Sequence, residues 1–197
     1  MPLVVFLKGV NVGGNKSFRP SVLASRLAKY GVTSVGAAGT FVVAKPISRA
    51  QLRSEFRRHL PFEAELMICE AKEILDLASA DPFAGEVAGP EIVRFIGVLA
   101  EGPRLLPALP LSLPPGQAWL VKIIAVRGRF ALGLYRRTMQ TIALFGKLEK
   151  HLGGSLTNRN WNTMMTLLAK LSEKRIASPT TKSLRASLPD KDKPCKR

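Results

Sequence analysis

The chain has 197 residues, 46% hydrophobic and 22% charged, which is enough for one sizeable core or two small subdomains and excludes a collagen-like or wholly disordered polymer. Lys8 and Lys122 interrupt the apolar runs around Val4 and Ile123 well short of the roughly 18 residues a membrane-spanning helix needs, so a soluble chain with no membrane partner is expected. The extreme quantity is the formal net charge of +16. Residues 1–54 contribute +8, residues 55–100 contribute −5, residues 101–171 contribute +8 and residues 172–197 contribute +5. The body is therefore basic without its last segment, and nucleic acid or another polyanion is an expected partner, although compositional drift gives the same total.

The first apolar run, Val4 to Leu7, has the composition of a central strand covered on both faces; without a basic region before it, it does not match a secretion signal. The turn-rich stretch Lys8-Gly9-Val10-Asn11-Val12-Gly13-Gly14-Asn15 follows, and Pro20 then opens a helix whose apolar positions Val22, Leu23, Leu27 and Tyr30 continue until Gly31. Residues 33–44 read as a hairpin turning at Gly36-Ala37-Ala38-Gly39. Ser48 and Gln51 have capping-box spacing, with Ile47 and Leu52 as a hydrophobic staple, and predict a helix over 49–60 that Pro61 stops. A short strand at 64–68 and an acidic amphipathic helix at 71–78 follow. Strand, helix, hairpin, helix, strand is the order of a split βαβ, or ferredoxin-like, unit.

Residues 80–91 read as a connector and Ile92 to Leu99 as a strand. The next stretch, with Pro103, Pro107, Pro110, Pro114 and Pro115, reads as a loop that cannot be a central strand and runs across the surface. Strands at 118–126 and 129–136 join at Arg127-Gly128, and helices at 141–152 and 161–171 close the fold, the first stopped by Gly153-Gly154. The fold class is thus α+β: a ferredoxin-like half over 1–80, a second, β-rich half over 81–171 packed on it and closed by two helices, and a disordered basic tail over 172–197.

His59, His151, Cys69 and Cys195 show no metal-ligand spacing, so no metal or cofactor is expected, and two distant cysteines fit a reducing cytoplasm. The loop after the first strand matches neither GxxxxGK[ST] nor GxGxxG. Its Lys8, Asn11, Gly13 and Gly14 have the makings of an anion-holding backbone nest, although a plain tight turn is the favoured reading of the glycines. The densest polar cluster, Thr157, Asn158, Arg159, Asn160, Asn162 and Thr163, flanks Trp161 before and within the first turn of the last helix. One helix needs one cap, so the surplus points to Arg159 and an Asn facing another segment or a bound anion. No nucleophile and base pair stands out, so no catalytic residue or reaction is assigned.

FLKGVNVGGN (Phe6 to Asn15) and GKLEKHLGGSLTNRNWNTMMTLLAKL (Gly146 to Leu171) resemble the opening and closing signatures of the bacterial domain-of-unknown-function family 1697. The resemblance implies a small cytoplasmic protein, an α/β fold built from ferredoxin-like elements, and no established activity. Where the family commonly has Arg-Gly-Ile-Asn-Val-Gly-Gly this chain has Lys8 to Gly14, and where it has Gln-Ser-Gly-Asn this chain has Ala37-Ala38-Gly39-Thr40. Three readings follow. One is a polyanion binder working through phosphate contacts. Another is a small anionic-ligand binder or enzyme, gripping its ligand between the Lys8–Gly14 loop and Thr157–Thr163, which are expected to meet in space. The third is an interaction module of unassigned oligomeric state, acidic 63–91 of one copy meeting basic surface of another.

Overall fold

A computed structural model describes residues 1–10, 18–79, 81–86, 89–116 and 118–176, with the side chains of 174–176 excepted. Its first sheet contains β1 (Leu3–Leu7), β2 (Val32–Val35), β3 (Thr40–Val43) and β4 (Leu66–Glu70) in the order β2-β3-β1-β4, antiparallel throughout. All five residues of β1 are buried, because both faces of the strand are covered. Leu3, Val5 and Leu7 pack under α1 (Pro20–Arg26) and α2 (Arg49–His59), whereas Val4 and Phe6 face the rest of the molecule. This arrangement is compatible with the expected ferredoxin-like unit. Ser48 caps α2 by accepting a hydrogen bond from the Gln51 amide at 3.1 Å. Gly39 ends the hairpin turn at φ +71°, where a Cβ would also lie 2.7 Å from Val10 Cγ2.

The second sheet contains β5 (Ile92–Leu99), β6 (Leu111–Leu113), β7 (Val121–Arg127), β8 (Phe130–Arg136) and β9 (Leu156–Asn160), in the antiparallel order β6-β7-β8-β5-β9. One face packs Phe95, Leu99, Val121, Ile123 and Ala131 under α4 (Met139–Leu152), with Leu148 and Leu152 at the contact. The other face carries Ile96, Val98, Phe130, Leu132 and Leu134. These share one cluster with Val4, Phe6, Val42 and Met67 of the first sheet and with α3 (Ala71–Ala78) and α5 (Trp161–Ile176). Both sheets thus close on a common apolar layer.

Two elements differ from the sequence expectation in kind. β6 lies inside the proline-rich stretch, which is possible because it is a three-residue edge strand between Pro110 and Pro114. β9 occupies residues that were expected to form a helix cap. Its composition, Leu-Thr-Asn-Arg-Asn, has little strand propensity, and pairing with β5 holds it extended. The last helix also runs on to Ile176, so residues 172–176, expected in the tail, extend it. The expected disorder of the rest of the tail concerns 177–197, which lie outside the described residues.

Candidate functional site

The end of β1, the β2–β3 turn and β9 converge on one polar joint. Alternation along β9 turns Thr157 and Arg159 inward from the sheet edge, and both are buried. All five guanidinium N–H groups of Arg159 have acceptors. Nε donates to Thr40 Oγ1 at 2.8 Å, one terminal nitrogen to Thr157 Oγ1 (2.9 Å) and the Asn158 carbonyl (2.7 Å), and the other to the carbonyls of Leu7 (2.8 Å) and Gly39 (3.3 Å). These acceptors are neutral, the cation lies over the Phe6 ring 5.5 Å from its centroid, and burial pushes the guanidinium pKa down to about 10. Thr157 Oγ1 reaches the Leu7 carbonyl at 3.3 Å.

Lys8 closes the outer side of the joint. Its ammonium lies 2.6 Å from Glu149 Oε1, 3.8 Å from Glu65 and 2.7 Å from Ser155 Oγ, which in turn donates to Glu65 at 2.5 Å. Glu149 also accepts the Leu156 amide at 3.0 Å, so α4, β1, β4 and the start of β9 meet in one network. The structure thus brings together Lys8, Thr157 and Arg159. Asn158 lies on the other side of β9 near Gly97, with Oδ1 buried and unpaired. Asn160 accepts the Asn162 amide at 2.9 Å as the cap of α5, Asn162 gives its carbonyl to Thr166, and Thr163 sits within 3.9 Å of the space beside Gly36. Asn11, Gly13 and Gly14 lie outside the described residues.

Sequence reasoning missed Thr40, Glu65, Glu149 and Ser155. The available signal was Glu149, one of only two acids in residues 101–171 and a member of the closing signature. Chemically, the joint fastens strand ends together, since its two cations already hold protein acceptors. A second arginine acts similarly: Arg129 donates to the carbonyls of Ile68 (2.9 Å), Leu99 and Ala100, tying β4 to the end of β5. Beside it, burial pushes the Cys69 thiol up to about 12, which leaves it an inert core group.

The cations of the α1–α2 layer divide differently. Lys29 and Arg58 share Glu55 at 3.1 and 3.2 Å, Arg49 reaches Glu70 at 3.4 Å, and Arg53 donates to the Leu66 carbonyl at 3.0 Å. Arg19, Arg26 and Arg57 are exposed, and among the described residues no acid pairs with them.

The model for the family described as "Protein of unknown function (DUF1697)" matches residues 1–103. No curated protein matches the chain. Among solved structures, the chain is similar to that of the conserved bacterial protein SP0830 from Streptococcus pneumoniae, with a TM-score of 0.56 and 16% identity over 87% of this chain and 98% of that one. At that identity the likeness concerns the fold alone. With over half its length matched by the family model, the chain belongs to the DUF1697 family.

Proposed function

We propose that this protein binds a polyanion, nucleic acid included, through phosphate contacts and without reading sequence. One observation carries the reading: the cations of the joint are engaged by protein acceptors, whereas Arg19, Arg26 and Arg57 on the α1–α2 layer are exposed and unpaired among the described residues. Free guanidinium groups are the ones able to displace counterions from phosphates. The alternative, a small anion held between Lys8 and Arg159, requires both to surrender the bonds described above. The test is a gel-shift with mixed-sequence DNA and RNA, titrated in salt, on the full chain and on a chain ending at Ile176. The removed segment holds six Lys and Arg, so both chains should bind, the shorter with a shallower salt slope. No binding of either nucleic acid at about 50 mM salt would overturn the proposal.

A further inference from the structure

The described surface has several hollows, and their linings sort by charge. One, of about 800 Å³, sets Glu63 and Glu65 against Arg57 alone. A second, of about 340 Å³, holds Arg49 together with its partner Glu70, and a third, of about 250 Å³, places Glu65 and Glu101 beside Arg104. A carboxylate in the wall repels an incoming phosphate and competes for the guanidinium. The fourth differs. It lies between α1 and the end of α2, measures about 260 Å³, and is lined by Phe18, Arg19, Val22, Leu23, Arg26, His59 and Pro61, with no acid.

The local sequence builds this hollow. Arg19, Val22, Leu23 and Arg26 recur at helical spacing and share one side of α1, where buried Leu23 anchors the helix and Val22 stays 46% exposed. Pro61 ends α2 so that His59 faces α1 across the gap. Phe18 is held edge-on against Phe62 at 5.5 Å, giving the hollow an aromatic wall beside its cations.

We infer that this depression is a discrete site for one nucleotide unit of a single-stranded nucleic acid, with the phosphate between Arg19, Arg26 and His59 and the apolar part of the unit against Phe18, Val22 and Pro61. The volume fits this commitment, because it falls below the roughly 300–1,000 Å³ that encloses a whole small-molecule ligand and is open enough for a strand to enter and leave. Arginine forks match phosphate oxygens, and a ring beside them tolerates any base, as sequence-independent binding requires. The inference rests on the polyanion reading above.

The test uses the full chain and a fluorescent single-stranded oligonucleotide of about ten nucleotides, followed by anisotropy at fixed low salt. The double variant Arg19→Ala/Arg26→Ala is compared with Lys147→Ala/Lys150→Ala, which removes the same charge from exposed positions on α4. A discrete site predicts a loss of roughly a hundredfold for the first and about threefold for the second, with unchanged melting temperatures. On adding the oligonucleotide, the imidazole resonances of His59 should shift and those of His151 stay. Equal losses in the two variants would overturn the site while leaving polyanion binding in place. No binding by the unaltered chain would overturn both.

Discussion

Replacing Arg159 with Ala tests whether the joint is the structural clasp that its geometry describes. The substitution deletes five hydrogen bonds from a charged donor set, at the low end of about 1.5 kcal/mol each because none has a charged acceptor. Against that loss stands the desolvation relieved when the charge is removed. The fall of the guanidinium pKa from 12.5 to about 10 corresponds to about 3 kcal/mol at 1.36 kcal/mol per unit. The difference leaves a net destabilisation of about 4 kcal/mol, or roughly 8–16 °C in Tm for a chain of this size. Arg159→Lys should recover only a fraction, because a compact ammonium with three donors cannot span Thr40, Thr157 and the Leu7 carbonyl together. Urea denaturation at neutral pH measures both variants. If Arg159→Ala unfolds within about 1 kcal/mol of the parent chain, the clasp is not holding the strand ends and the reasoning fails.

Other perturbations probe the network piece by piece. Glu149→Gln keeps an acceptor for the Leu156 amide and removes only the half-exposed pair with Lys8, so it should cost about 1 kcal/mol and lose its effect in concentrated salt; Glu149→Ala should cost about 1–2 kcal/mol more by orphaning that amide. Gly133→Ala should lower Tm by several degrees, about 1–3 kcal/mol, because its Cβ would lie 2.5 Å from the Lys122 carbonyl and 2.7 Å from the Phe95 ring, and a paired strand cannot give way; a fully stable variant would refute the crowding. The hydrogen bond from Lys29 holds the Glu55 carboxyl below the usual carboxylate range, so this pair stabilises the fold above about pH 4.5 and loses its effect as pH falls through the lowered pKa. Glu55→Gln should therefore be less stable than the parent at neutral pH, and the two acid-unfolding curves should converge below the carboxylate range.

The parts of this fold legible in the chain are those where local pattern and burial agree. The unbroken apolar run of β1, the Ser48 cap of α2 and the alternation in β8 each carry their own signal within a few residues. β9 was illegible because its pattern is inverted: Thr157 and Arg159 point into the molecule, and their acceptors lie about 120 to 150 residues earlier, at Gly39, Thr40 and Leu7. Binary patterning reads inward positions as apolar, and an edge strand that buries a charge defeats it. The surplus of polar groups at 157–163 was visible, and its partners were a carbonyl at a strand end and a hairpin turn, which no local window reveals. That turn is the stretch Ala37-Ala38-Gly39-Thr40, where the family resemblance leads one to expect more polar side chains. From this turn the Gly39 carbonyl and the Thr40 hydroxyl meet the guanidinium.

The net charge of +16 therefore contains two populations of cations. Arg129 and Arg159 hold neutral carbonyl and hydroxyl groups with four and five of their guanidinium N–H groups respectively, so their charges still contribute to the field around the molecule although their donors are spent on the protein. Arg19 and Arg26 contribute to the same field and, among the described residues, have no acid paired with them. These populations separate in experiment. The on-rate for a polyanion at low salt reports the whole field, since steering depends on summed charge. The slope of log affinity against log salt reports only the phosphates neutralised by contact. A substitution in the α1–α2 layer should change both quantities. A charge-removing substitution at Arg129 that leaves the fold intact should slow association and leave the slope where it was.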